Sequence, residues 1–432
     1  MVYTRRKKYN NNKRTKINRR NKGGEAFAAG GYGCVFKPAL LCANNSLRIN
    51  SNTMKKSLGT VSKLLDRESA FNEMQEIEKV LLYIKKIPNN SKYFIINDQV
   101  TICEPAPLSK LDLHNYDKMC SGTKLEQIGI TSANINNHLN KLNAINMLDG
   151  GKDLDKVWPF LRFDIKENNE KSFKIFKIIN THLIQLLVNA IVKLNKAGLY
   201  HFDIKGSNIL LGKDENTRLI DWGTSFTFTS FTVENTHIQI PQKVYSRAIF
   251  QFNVPFSVIL FLPELDTVIQ KTVLLYKNKA QGNDLIKLIA QDIILYSLTE
   301  NGAGSHFELI LEYMAIVYNK INNNNKFTKE TAIKVIENYF ADILMNYLTI
   351  TTFTTTFNLT AFFKEVFLHN IDIYGFLISY IHLVIINDKS NSYLVQEIAK
   401  LFNDFCWSPT YASKPIPVKT LTIRLKKLNI QR

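Results

Sequence analysis

The chain has 432 residues, 45% of them hydrophobic, enough to bury more than one core. Its five cysteines (34, 42, 103, 120 and 406) are scattered without a C-x-x-C pair, which argues against zinc or a disulfide framework and for a reducing, intracellular compartment. The formal net charge is +18, no run reaches the roughly 18 apolar residues of a membrane span, and the basic start has no apolar core of a secretory signal, so neither a membrane protein nor an exported one is expected.

Residues 1–24 read as a basic disordered tail. "RRKKYNNNKRTKINRRNK" (Arg5 to Lys22) carries ten Lys and Arg and no acid, the composition of a nucleic-acid contact or a nuclear-import segment, or of a solvated tail without a partner. Glu25 to Lys37 reads as strand, Gly-rich turn, strand, and "TVSKLL" (Thr60 to Leu65) as a further strand. In Arg67 to Ile87 the apolar residues fall at 71, 74, 77, 80, 81 and 84, which predicts a helix ended by Pro88. "KYFIIND" and "QVTICEP" read as the two strands of a hairpin, and Lys141 to Trp158 as a strand, a Gly-Gly loop and a short helix.

A long helix follows, with apolar residues from 173 to 194 at helical spacing and Gly198 where a terminating glycine belongs. "HFDIKGSNILL" and "RLIDWGTSF" then read as a strand-loop-strand hairpin. Beyond Phe256 the pattern is mostly helical, interrupted by "INNNNKF" and a Thr-rich patch, Thr349 to Thr360. Tyr374 to Ile386 is too short to span a membrane and reads as a buried core helix. The fold class expected is α+β: a small, mostly β lobe at 25–147, then a larger, mostly helical lobe at 148–432.

The hairpin concentrates the chemistry. Asp203, Lys205 and Asn208 stand in one loop, and Asp221 follows Asn208 by thirteen residues. Phosphoryl transfer requires a cradle for the phosphates, a cation on them, bound magnesium and a base for the incoming hydroxyl. Two hard oxygen donors from facing strands suit Mg²⁺, which keeps waters and phosphate oxygens as its other ligands.

With these pieces in this order the chain resembles the eukaryotic-type Ser/Thr protein kinase family, from about Glu25 to Phe231 and again near Asp372. The resemblance implies a bilobal kinase-like fold and gives each residue a role. Asp203 would orient the substrate hydroxyl, Lys205 would lie on the γ-phosphate of ATP, and Asn208 and Asp221 would hold Mg²⁺. Lys205 favours Ser/Thr protein kinases over small-molecule and tyrosine kinases. In "AAGGYGCVFK", Gly30 and Gly33 would close over the phosphates and Val35 over the adenine, with Ala28 replacing the first glycine of the pattern. Lys63 matches the lysine of the third strand. Its acidic partner on the following helix is Glu76 or Glu73, and the distance to the helix end favours Glu76. Met147 matches the gatekeeper, the backbone of Leu148 to Gly150 the adenine-binding hinge, and Asp372 the residue that buttresses the catalytic loop.

Three departures stand out. Phe202 replaces the arginine that in the family precedes the catalytic Asp and usually meets an activation-loop phosphate, which implies control by other means. "LPE" (Leu262 to Glu264) is the nearest match to the A-P-E motif, and about Leu265 to Phe363 reads as a helical insertion in the second lobe. A short connection between the third strand and the following helix, "KYFI" before a strand, "GGKDL" after the hinge and "QFNVPF" after the activation segment, together with the Asn-rich runs, resemble the Ser/Thr kinases of large nucleocytoplasmic DNA viruses, implying a host-cytoplasmic or virus-factory location, or the nucleus or virion. The function implied is transfer of the γ-phosphoryl group of ATP to protein hydroxyls. The alternatives are a pseudokinase scaffold and a basic nucleic-acid-binding protein that works through its tail.

Overall fold

Strand-turn-strand patterning in the first described stretch becomes β1 (Glu25–Gly30) and β2 (Gly33–Lys37), followed by β3 (Thr60–Asp66), β4 (Thr101–Cys103) and β5 (Leu142–Leu148). The computed structural model describes residues 24–44, 59–97, 100–163, 166–229, 239–300, 304–322, 327–351, 353–390 and 392–430. The basic tail read at 1–24 lies outside these residues, apart from Gly24. Helix dominates over strand, and the chain is α+β.

Two compact units divide the described chain. One takes in the first described strands, Thr60–Ala70 and Thr101–Met147; the other takes in Phe71–Val100 and the run from Leu148 onward. The second unit thus takes in 71–100 of the stretch read as the first lobe. The helix Arg67–Ile84 leaves the first unit after one turn, because from Phe71 onward its neighbours belong to the second.

The first unit is a five-stranded sheet in the order β1-β2-β3-β5-β4. Phe36, Leu64, Leu142 and Ala144 point from its strands into a core completed by Leu108, Tyr116, Leu125 and Ile135. Two disulfides, Cys34–Cys120 and Cys42–Cys103, lie in that core. This corrects the reading that no disulfide framework exists and removes the cysteine argument for a reducing compartment. The partners are 86 and 61 residues apart in sequence and are brought together only by folding. The hairpin read for "KYFIIND" and "QVTICEP" is also corrected. Thr101–Cys103 does form a strand, but it pairs with β5. Tyr93 and Phe94 instead lie along Leu219 in the second unit: Leu219 N–H donates to the Tyr93 carbonyl at 2.9 Å, and Phe94 bridges Leu219.

The second unit is mostly helical. Lys166–Leu186 runs through one π-turn, Leu187–Ile191, into Val192–Lys196. Gly198 ends it with φ +87°, and a Cβ there would sit 2.6 Å from the Phe228 carbonyl, so both conformation and space demand glycine. Short strands flank this helix: β6 (Lys152–Asp153) before it, and β7 (Leu199–Tyr200), β8 (Ile209–Leu211), β9 (Thr217–Leu219) and β10 (Phe226–Thr227) after it. β6, β8 and β9 form one antiparallel sheet, and β7 pairs with β10.

The stretch read as a helical insertion folds as Leu265–Tyr276, Asn283–Glu300, Gly304–Asn322 and Lys329–Tyr347, then a Thr-rich hairpin of β11 (Leu348–Ile350) and β12 (Thr355–Phe357). Its helices pack on an aromatic core in which Phe261, Phe362, Phe363 and Phe367 meet edge to face or tilted. Among the described residues two helical stretches, Glu170–Lys196 and Leu359–Ile386, are long and apolar enough to cross a membrane. The window in the second is 78% buried inside the protein, as a core helix would be.

Candidate functional site

Asp203 is the centre of the second unit's polar architecture. The turn that carries it is fixed from below by Asp372, which is buried in the helix Leu368–Ile378. Its two carboxylate oxygens accept the backbone N–H groups of His201 and Phe202, both at 2.9 Å, in the buttressing role read from the sequence. Burial pushes the Asp372 carboxyl up, against the pull of His201 and the two backbone donors. The contact holds Phe202 at φ +61°, a left-handed conformation that costs a bulky residue energy.

His201 is clamped in turn. Its Nε2 lies 2.9 Å from the Ile220 carbonyl, and its Nδ1 accepts the Asp203 N–H at 3.3 Å. That pattern requires the proton on Nε2 and a neutral ring. Burial keeps the ring neutral by lowering its pKa, against the opposing charges of Asp372, Asp203 and Asp221. Trp222 packs on the same imidazole at 4.7 Å between centroids.

Four side chains hold the Asp203 carboxylate. Lys205 Nζ and Asn208 Nδ2 donate to Oδ2, each at 2.9 Å. Arg247 Nη2 and Asn253 Nδ2 donate to Oδ1, at 3.1 and 3.0 Å. Burial alone would raise this carboxyl. The charges of Lys205 and Arg247 and the hydrogen bonds from Lys205 and Asn253 outweigh it and hold the group below its usual range. Asp203 is thus a fixed carboxylate at neutral pH, suited to orienting a hydroxyl rather than to strong proton abstraction.

Asn208 also donates to the Asp203 carbonyl at 2.8 Å, so Oδ1 is the atom it has left for a cation. Its own carbonyl accepts the Ile220 N–H at 3.0 Å, which ties the Asp203–Asn208 loop to the residue before Asp221. Asp221 is solvent-exposed on a left-handed backbone, φ +67°. By donor type, one amide oxygen and one carboxylate would suit a hard cation such as Mg²⁺ better than zinc or calcium. Among the described residues no cluster of three or more His, Cys, Asp or Glu could hold a metal ion.

In the first unit, Gly30 and Gly33 close the β1–β2 turn as paired residues. They differ in what demands glycine. At Gly33 a Cβ would lie 2.1 Å from the Leu64 carbonyl, so sheet packing alone excludes a side chain. At Gly30 a Cβ meets nothing within 4 Å. Val35 and Lys63 are cross-strand partners in β2 and β3 and project from one face of the sheet. Met147 and Leu148 are half-buried at the end of β5. The Asp149 N–H, inside the stretch read as the hinge, is already spent on the Gly59 carbonyl at 2.8 Å. A Cβ at Gly150 would lie 2.3 Å from Ile95, so packing accounts for that glycine.

Glu76 Oε2 accepts from Lys243 Nζ at 3.2 Å, and its Oε1 from Lys79 at 3.3 Å. Lys243 also donates to the carbonyls of Gly223 and Ser225. Lys243, Arg247 and Asn253 were missed by the sequence reading. Arg247 and Asn253 lie 44 and 50 residues beyond Asp203, too far along the chain for spacing to link them to it. No family model matches the chain, and no curated protein matches it closely enough to be a relative.

Proposed function

We propose that the chain is a Mg²⁺- and ATP-dependent Ser/Thr protein kinase with a bilobal kinase-like fold. The observation that carries this reading is the Asp203 cluster. A buried carboxylate, ionised by two cations and fixed by two amides, sits beside Lys205 and one tie away from Asp221. A solvated polar turn has no need of a buried aspartate beneath it or of left-handed backbone at both Phe202 and Asp221. Strain held in place by surrounding structure is a mark of functional sites.

In this reading Asp203 accepts the hydrogen bond of a Ser or Thr hydroxyl and aligns its oxygen for in-line attack on the γ-phosphorus. Lys205 neutralises charge on the transferring group. Asn208 Oδ1 and the Asp221 carboxylate would hold Mg²⁺, which supplies charge neutralisation on the phosphates when bound. Gly30 and Gly33 would present backbone N–H groups to the phosphates, Lys63 would take their charge, paired with Glu76 or Glu73, and Val35 and Met147 would flank the adenine beside the backbone of Leu148 and Gly150. The protein substrate would present a Ser or Thr, and nucleic acid would engage only the basic tail.

The test is a melting curve with ATP and Mg²⁺, paired with phosphotransfer to a Ser/Thr peptide mixture. At ligand about a hundred times Kd, binding contributes roughly 2.7 kcal/mol, a rise of a few degrees in Tm. A melt unmoved by millimolar Mg·ATP, with no labelled peptide, overturns the reading. A shifted melt without transfer favours the pseudokinase scaffold instead.

A further inference from the structure

The stretch Thr224–Thr229 that follows Trp222-Gly223 is anchored at several points by its own backbone and side chains. Phe226–Thr227 pairs as β10 with β7, and Phe226 stacks on Tyr200 at 5.3 Å. The Phe228 N–H donates to the Gly198 carbonyl at 2.8 Å. Thr224 Oγ1 donates to the His201 carbonyl, and the buried Ser225 hydroxyl to the Trp222 carbonyl. Further along, Arg247 reaches back to the catalytic loop. Its guanidinium lies over the Phe202 ring, 4.8 Å from the centroid, while Nη1 donates to the Phe202 carbonyl at 2.9 Å and Nη2 to Asp203 Oδ1. Gln251 accepts a further hydrogen bond from Nη2, and its own Nε2 donates back to the Arg247 carbonyl.

This grip is specific to a guanidinium. A planar cation can stack on an aromatic face and direct two N–H groups along its edge at once, which an ammonium cannot do. Phe202 supplies the face, its carbonyl the first acceptor and Asp203 the second. Edge-to-face contacts with Phe226 at 5.4 Å and Phe367 at 6.3 Å hold the ring itself.

We propose that Arg247 is a positioning residue for Asp203: through its stack on Phe202, which in turn meets Phe226, it fixes the Asp203 carboxylate and docks the stretch Thr224–Thr229, so that the competent arrangement of the site needs no phosphorylation after Trp222-Gly223. The inference rests on the kinase reading above and adds the regulation of the same site. Arg247 has no role at the nucleotide in this scheme, so its loss acts on turnover and not on ATP affinity.

The experiment uses the full chain. Wild type, Arg247→Lys and Arg247→Ala are each treated with phosphatase, freed of it, and assayed for kcat, KM for ATP and melting temperature. Expected are a wild type whose rate falls less than twofold on dephosphorylation, an Arg247→Ala whose kcat falls at least tenfold with KM for ATP within twofold, and an Arg247→Lys in between. A tenfold or greater loss of wild-type rate on dephosphorylation, restored by rephosphorylation, overturns the proposal. So does an Arg247→Ala as fast as wild type or faster, since the guanidinium would then be dispensable or a plug on Asp203. Should Arg247→Ala fail to fold, Arg247→Lys decides: a folded Lys variant with wild-type kcat overturns the proposal, and one with kcat reduced threefold or more at unchanged KM supports it. A wild type that transfers no phosphoryl group overturns the kinase reading and the inference with it. A wild type that does, beside an unaffected Arg247→Ala, overturns the inference alone.

Discussion

The two units are held together by different means, and the difference follows their size. The first is a small sheet whose core residues are joined by two disulfides. Small units bury too little apolar surface to be secure on packing alone, and covalent links supplement it. The second is much larger, with a continuous aromatic core, and its cysteine Cys406 is buried and free. One of its buried polar networks runs from Asp372 through His201 and Phe202 to Asp203. The first unit has its tight glycine turn at Gly30 and Gly33, and the second its fixed charge at Asp203.

If that contrast holds, the largest single effect comes from Asp372. Asp372→Ala leaves the buried N–H groups of His201 and Phe202 without partners, at about 1–3 kcal/mol each, and releases a left-handed phenylalanine. The second unit is expected to lose roughly 2–6 kcal/mol in a denaturant titration, with phosphotransfer abolished. A folded variant of unchanged stability would show that the catalytic loop does not depend on this carboxylate.

Next comes the covalent side of the comparison. Cross-links spanning 86 and 61 residues constrain the unfolded chain and typically contribute about 2–4 kcal/mol each. In calorimetry, dithiothreitol or Cys34→Ser with Cys120→Ser is expected to lower the transition of the first unit by on the order of ten degrees and leave that of the second in place. A single transition that moves as a whole would show that the two units unfold together.

The smaller effects sharpen the contrast within the first unit. Gly33→Ala forces a methyl group against the Leu64 carbonyl and is expected to cost roughly 1–3 kcal/mol of stability. Gly30→Ala has open space, so its melt is expected to be unchanged while the affinity for Mg·ATP falls several-fold. Equal melts for both variants would contradict the close approach at Gly33. Unchanged nucleotide affinity in Gly30→Ala would remove that glycine from the phosphate site.

What was legible in the sequence was short in range. Asp203, Lys205 and Asn208 stand within six residues, and their spacing alone set them on one turn. The helix at Arg67–Ile84, the long helix ended by Gly198 and the strands at 60–66 and 142–148 followed from periodicity and from glycine. Asp372 was legible only through the family pattern, since nothing in its own neighbourhood marks it. Arg247, Asn253 and the disulfides were not legible, because each depends on residues tens of positions apart being brought together by folding. "KYFIIND" was misread because an apolar run looks the same whether it joins the nearest strand or lies along Leu219.

The measurement that bears most directly on the account is single-turnover phosphotransfer from ATP to a Ser/Thr peptide, wild type beside Asp203→Asn, with Mg·ATP binding followed in parallel by melting temperature. Asn keeps the size of the side chain and removes the charge that Lys205 and Arg247 surround. The account predicts that both proteins bind Mg·ATP and that the rate of transfer falls at least a hundredfold in the variant, about 2.7 kcal/mol in the barrier. Equal rates in the two proteins would contradict it, because Asp203 would then not be the residue that orients the attacking hydroxyl.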